Sequence, residues 1–336
     1  MYRLTALFLL YAVAARAADT LPPLQVNAGE RLVVVAPHPD DETLATAGLI
    51  QHVLANGGSV WVVLVTAGDG YVEAVVHETG ELRPRPVAYL AYGTRRIKEA
   101  RAAIRELGEN RVRVQLLGFP DGGLTTLLHA HWRHSHPERS QTTGVSDPPY
   151  PEALDPNIAY DGADLLNELQ RLLREAQPTI VALPDPLDAH PDHHATAIFA
   201  LLALDDAVRA RALPLPRMLA YLVHWPAWPP GWDVPMPAAA TTDAALAFPS
   251  TLPTRGLERS MVVLTDRERT RKRTALECYR TQLRETGPLL AAFVRRTEPF
   301  SIFTTAELQQ AEQLMMARRA MRTPRSSGSD ARPTPP

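Results

Sequence analysis

His38, Asp40, Asp41 and Glu42 put one imidazole and three carboxylates into five residues, inside the run Ala36-Pro37-His38-Pro39-Asp40-Asp41-Glu42. Burying so many ionised groups side by side costs on the order of several kcal/mol unless a cation compensates them. A divalent metal is the obvious compensator. Imidazole and carboxylate are good zinc ligands, and a catalytic zinc typically takes about three protein ligands and keeps one position for water. Two ligands are evident in this run, so a third must come from elsewhere. The run Asp188-Ala189-His190-Pro191-Asp192-His193-His194, a second His/Asp cluster, can supply it.

Both clusters follow the same kind of segment. Leu32-Val33-Val34-Val35 and Thr179-Ile180-Val181-Ala182-Leu183-Pro184 are short apolar, β-branched runs bounded by Pro, which reads as buried strand, and a helix-like stretch follows each cluster. Strands are expected at 31–36, 59–66, 111–117, 179–183 and 218–224, and helices at 43–56, 94–107, 162–175 and 195–211. This alternation predicts an α/β fold with a Rossmann-like, doubly wound, mostly parallel sheet. In such a sheet the turns after the strands lie at the carboxyl ends, where ligands bind. A Pro-His-Pro-Asp turn stands where a dinucleotide fold would carry its Gly-rich turn, which disfavours NAD. Three long, Pro-rich stretches, 70–93, 129–160 and 226–257, read as loop insertions that rim the site and select the substrate. A last helix is expected over 266–284.

The two motifs H-P-D-D-E and H-P-D-H, in this order and each after a strand, resemble those of the PIG-L/LmbE-like zinc-dependent N-deacetylases. Further likeness lies in Arg96 to Glu99 with Ala103 and Leu107-Gly108, in the turn Gly118-Phe119-Pro120-Asp121-Gly122, and in Lys272, Ala275, Leu276, Tyr279 and Gln282. The resemblance implies a facial zinc site of His38, Asp41 and His193, one Zn2+ per chain, with other divalent ions possible in its place. It implies Asp40 as general base, and His190 as the protonated group that stabilises the oxyanion and protonates the leaving amine, oriented by Asp192. It places Arg96 and Asp121 where the family contacts sugar or anionic groups.

Plainer readings stand beside these roles. Asp40 and Asp41 could cap the following helix, His190 could be a fourth ligand, Arg96 could pair with Glu99 one turn away, and Asp121 could simply make a turn. Glu42 suits the first turn of a helix, where a carboxylate favours the dipole. His194 is expected to face away, the histidines of 129–136 read as a solvated loop rather than a second metal site, and His224, at a strand end, reads equally as pocket or edge residue.

Met1-Tyr2-Arg3, an apolar run over 4–15 and the small-residue boundary Ala15-Arg16-Ala17 fit a signal peptide over 1–17. The run is shorter than the roughly 20 residues of a spanning helix. Residues 18–322 then read as a single deacetylase-like domain, and 323–336, rich in Pro, Ser and Arg, as a disordered tail. Cys278 is the only cysteine, which excludes an intrachain disulfide. Loss of Arg3 and Arg16 would take the formal net charge from −2 to −4, not the balance of a nucleic-acid binder.

The expectation is an exported, periplasmic or extracellular hydrolase that removes an N-acetyl or other N-acyl group from an N-acetylglucosamine-type glycan, glycolipid or glycopeptide. It would meet a membrane surface only through its substrate. The alternatives are a carbohydrate-binding protein with a structural metal, and a hydrolase of a different amide.

Overall fold

The computed structural model describes residues 21–133, 135–232, 243–311 and 313. The expected signal peptide and the expected disordered tail lie outside them. Seven strands form one sheet in the order β3-β2-β1-β4-β5-β7-β6. Strands β1 (Arg31–Ala36), β2 (Ser59–Thr66), β3 (Val112–Phe119), β4 (Ile180–Pro184) and β5 (Arg217–Tyr221) are parallel, while β6 (Glu258–Val263) and β7 (Thr297–Phe303) close one edge antiparallel. The helices are α1 (Asp41–Ala55), α2 (Val72–Thr79), α3 (Pro86–Gly108), α4 (Leu124–His129), α5 (Gly162–Ala176), α6 (Pro191–Arg209), α7 (Asp266–Leu276) and α8 (Arg280–Ala292).

The apolar run of β1 is buried on both faces because helices cover both. Leu32, Val34 and Ala36 join one core with residues of α1, α3, α7 and α8, and Val33 and Val35 join the other with α4, α5 and α6. Side chains alternate across a strand, so a continuous apolar run is what a three-layer arrangement requires. The connections leave β1 toward β2 and β3 and leave β4 toward β5, which makes the β1/β4 boundary the point where the winding reverses and a crevice opens. Both His/Asp clusters follow the strands that flank this boundary.

Several elements differ from the sequence reading. Residues 70–93 are not an irregular loop: α2 and the first turns of α3 fill most of the stretch, and Ala74, Val75, Tyr89 and Tyr92 bury one another in a small separate cluster. Pro86 sits in the first turn of α3, where its missing N–H costs nothing. The late helix is two, α7 and α8, the second kinked at Thr286 ahead of Pro288. Strands β6 and β7 had no sequence signal, since a Pro sits inside β7 at position 299.

Helix α1 is buried nearly all round, so charged groups reach its backbone from inside the protein. Lys272 Nζ donates to Leu44 O at 2.7 Å and to Glu298 Oε1 at 2.8 Å, and the Glu298 carboxylate takes the amides of Gly48 and Leu49. This fully buried pair fixes the helix that begins at Asp41.

Candidate active site

His38 lies on the turn after β1, Asp41 opens α1, and His193 sits in the first turn of α6. Asp41 Oδ2 is the meeting point: it lies 3.3 Å from His38 Nδ1 and 3.2 Å from His193 Nε2, and accepts the His38 backbone amide at 2.9 Å. Two ligands of one tetrahedral zinc, each about 2.0–2.2 Å from it, stand about 3.4 Å apart, so these separations fit a shared ion. Neither nitrogen of His193 has a hydrogen-bond partner although the ring is wholly buried, and His38 Nε2 is likewise without one. Buried imidazole nitrogens that face carboxylates without well-formed hydrogen bonds are a donor set that fits a divalent metal.

Carboxylates stand behind both rings. Asp188 Oδ2 lies 3.3 Å from His193 Nδ1 and accepts the amides of Val223 and His224 at 2.8 and 3.0 Å, while its Oδ1 accepts that of His190 at 3.0 Å. Asp121 Oδ1 and Asp192 Oδ2 lie 3.1 and 3.5 Å from His38 Nε2. Such backing carboxylates orient metal-binding imidazoles and raise their basicity. Burial opposes charge on His38 and His193, yet Asp121, Asp192 and Asp41 around the first hold its pKa well above normal, and Asp41 and Asp188 raise the second to about 10. Asp41 is held well below the usual carboxylate range because His193 and His38 outweigh its burial. The pocket therefore attracts positive charge at the point where these groups meet.

Asp40 occupies the N-cap position of α1 but makes no side-chain cap bond, and its backbone sits at φ 124°, ψ −31°. That conformation is sparsely populated for a residue with a Cβ and costs about 1–3 kcal/mol. Burial pushes the Asp40 pKa up to about 7; Arg96 opposes the rise, and Asp41 and Glu42 add to it.

Several expected roles need correction. Arg96 does not pair with Glu99: it lines the cavity and donates to Gly68 O at 2.9 Å, Pro39 O at 2.7 Å and Asp40 Oδ2 at 3.2 Å. Gly68, at φ 66°, is required there, since a Cβ would stand 2.1 Å from the guanidinium. Glu99 instead accepts from the amide and hydroxyl of Thr281. Asp121 turns toward His38 and accepts the Gly70 amide at 2.5 Å. The Asp192 carboxylate does not face His190; it accepts the amides of Gly122 and Leu124 and approaches His38. Only its backbone amide reaches His190, donating to Nδ1 at 3.2 Å. That bond makes Nδ1 an acceptor, so the neutral ring carries its proton on Nε2. Burial, with the imidazoles of His38, His193 and His224, lowers the His190 pKa to about 2, so the ring is a neutral donor rather than the expected cation.

Two residues outside the expected set also stand here. His224, just beyond the carboxyl end of β5, sets its ring 5.1 Å from that of His190, tilted, and 4.8 Å from that of His193, edge-on, and burial, reinforced by His193, lowers its pKa to about 4. Asp188 is the carboxylate behind His193. Three groupings bring possible metal-binding atoms within 4.8 Å of one another: His38 with His190 and His193, Asp41 with His193 and His224, and His38 with Asp121 and Asp192. In the 129–136 stretch, His131 pairs with Glu138 at 2.9 Å and no such grouping forms among the described residues. His194 points to Pro186 O, away from the pocket. A cavity of about 430 Å³ opens over the cluster, lined by His38, Asp40, Asp121, His190 and His224 on one side and by Tyr71, Gln282 and Leu289 among others.

A doubly wound α/β protein with a carboxylate-backed histidine cluster at its switch point is thus the class that fold and site define. Residues 33–204 match the family described as PIG-L: GlcNAc-PI de-N-acetylase, and the chain belongs to that family. It is 32% identical over 203 residues to 1D-myo-inositol 2-acetamido-2-deoxy-alpha-D-glucopyranoside deacetylase of Tsukamurella paurometabola, a match that covers 58% of this chain and 61% of that one. The chain thus spans about three fifths of that curated relative. A second relative, numbered 2 under the same name in Saccharopolyspora erythraea, is 27% identical over 78% of this chain and 88% of its own. Among solved structures, N,N'-diacetylchitobiose deacetylase from Pyrococcus horikoshii aligns over 82% of this chain and 84% of that one, at 17% identity and a TM-score of 0.47.

Proposed function

We propose that this protein is a metal-dependent hydrolase that removes the N-acetyl group from an N-acetylglucosamine-type sugar or conjugate. The observation that carries the reading is the convergence of His38 Nδ1 and His193 Nε2 on Asp41 Oδ2, with His38, Asp41 and Asp40 lining one cavity and His193 buried behind it. The names of the relatives, which are deacetylases of an acetamido sugar, support the substrate class.

His38, Asp41 and His193 would hold the ion, with Zn2+ the best match to two imidazoles and a carboxylate. Bound there, it would polarise the amide carbonyl and make water acidic enough to attack near neutral pH. Asp40, which lines the cavity beside Asp41, accepts the proton as the water oxygen bonds to the carbonyl carbon. The Nε2–H of neutral His190 donates to the carbonyl oxygen as charge develops on it. When the C–N bond breaks, the nitrogen leaves with the proton carried by Asp40, giving a free amine and acetic acid, which loses its proton to solvent as acetate. Asp188, Asp121 and Asp192 hold the imidazoles in place.

Export is part of the proposal and rests on the N-terminal segment, which predicts a mature N-terminus near Ala18 in mass spectra of the secreted protein. The activity is tested by amine release from N-acetylglucosamine and N,N'-diacetylchitobiose, with and without a chelator, and across N-acyl donors. Chelator-sensitive release is expected. Binding of these sugars without release would favour the carbohydrate-binding alternative.

A further inference from the structure

We infer that Glu42 is a positioning residue for Asp40, holding the backbone of the base in its left-handed conformation from below; this rests on the reading of Asp40 as the base. Glu42 lies in the first turn of α1, where a carboxylate suits the helix dipole, and it is also fully buried. Its Oε2 accepts the Asp40 amide at 3.1 Å, and its Oε1 accepts the hydroxyls of Tyr279 and, at 2.9 Å, Thr43. Thr43 and Tyr279 hydroxyls also lie 2.9 Å apart, so the three side chains form one buried triangle.

The triangle sits under the residue whose geometry most needs support. Among the described residues, six non-glycine positions have positive φ, and Asp40 is the one that lines the cavity. A φ of 124° turns the Asp40 amide away from the usual helix-start direction, and Glu42 is the side chain that captures it. Arg96 fixes the other end by holding Asp40 Oδ2 and the Pro39 carbonyl. Asp40 is thus clamped at its amide and at its carboxylate, which leaves little rotational freedom to the group that must meet a water. Tyr279, which arrives on the connection between α7 and α8, acquires a role that its place in the sequence did not disclose: it fixes the Glu42 carboxylate.

The test is a double-mutant cycle on the zinc-loaded full chain, with amine release from N-acetylglucosamine as the probe reaction. Glu42→Ala is expected to lower kcat about 10- to 100-fold with little change in KM, and Glu42→Gln, which keeps an acceptor, to restore most of it. In an Asp40→Asn background, Glu42→Ala should cause no further loss, because it acts only through Asp40. An equal loss in both backgrounds, or full activity of Glu42→Ala while Asp40→Asn is inactive, overturns the positioning role and leaves the base untouched. Full activity of Asp40→Asn instead overturns the base itself. Should Glu42→Ala not fold, Tyr279→Phe carries the same cycle, with a smaller loss expected in the native background alone. A crystal structure of zinc-loaded Glu42→Ala or Tyr279→Phe gives a readout without turnover: Asp40 is expected to leave its positive φ, and retention of it would overturn the inference.

Discussion

The two ends of the parallel strands carry polar groups of the same kinds and treat them oppositely. At the amino ends, Glu30 lies buried before β1, Thr179 precedes β4 and Arg217 begins β5. Glu30 accepts from Arg217 at 2.9 Å, from Asn27 at 3.1 Å and from the Thr179 hydroxyl, and Thr179 Oγ1 in turn accepts the Arg31 amide at 2.8 Å. Burial pushes the Glu30 pKa up, but these bonds and the Arg217 charge outweigh it and the net shift is downward. That network is closed. At the carboxyl ends the imidazoles of His38 and His193 have unpartnered nitrogens, carboxylates crowd them, and Asp40 stands in a strained backbone. The same sheet thus supports one cluster closed by its own hydrogen bonds and one of crowded imidazoles and carboxylates whose donor set fits an added cation.

Substitutions at the two ends should therefore separate activity from stability. The largest effect is expected at Asp40: Asp40→Asn keeps size and hydrogen bonding but cannot take a proton, so amine release should fall about 10²- to 10⁴-fold with metal content unchanged. Asp188→Ala leaves His193 Nδ1 without its carboxylate and should weaken metal affinity about 10- to 100-fold, measured by competition with a chelator. Glu30→Ala, at the opposite end, should cost about 1–3 kcal/mol in urea unfolding by stranding Arg217 and Thr179, yet leave metal content and turnover per folded molecule intact.

A smaller effect sharpens the comparison through pH. Asp69 follows β2 at the carboxyl end and accepts the Tyr150 hydroxyl; burial and the nearby Asp121 raise its pKa to about 7. A carboxyl whose pKa is higher folded than unfolded binds its proton more tightly in the native state, so it contributes stability at acid pH that is lost as pH climbs from about 4 to about 7. Replacing it by Asn removes that titration. Asp69→Asn should therefore be most destabilised relative to the native chain near pH 4, with the gap narrowing by pH 8, as read from unfolding midpoints in a pH series.

The parallel half of the fold was legible because its strands are continuous apolar runs, and buried strands of a two-faced sheet can be little else. The core of the site was legible for a related reason: His38 to Asp41 and His190 to His193 are contiguous, so spacing alone brings their side chains to one turn each. What escaped depends on contacts between distant segments. Asp188 stood in plain view two residues before His190, but only the packing of β5 beside β4 puts His224 next to it and makes it the partner of His193. Arg96 has the residue type of an anion binder, and only the glycine at 68 lets it lie across the loop to reach Asp40. Glu42 has the position of a dipole residue, and Tyr279, more than 200 positions away, makes it a buried anchor. The edge pair β6–β7 was missed because β6 is only partly buried and β7 carries a Pro at position 299.

Metal stoichiometry tests the central contrast most directly. The full chain, stripped with chelator and reloaded with excess zinc before desalting, is analysed by inductively coupled plasma mass spectrometry beside His38→Ala, His193→Ala and Glu30→Ala, with folding followed by circular dichroism. Native chain and Glu30→Ala are expected to retain about one zinc per chain, and the two histidine variants to fold but keep less than about a tenth of that. Full zinc occupancy in both folded histidine variants would contradict the account.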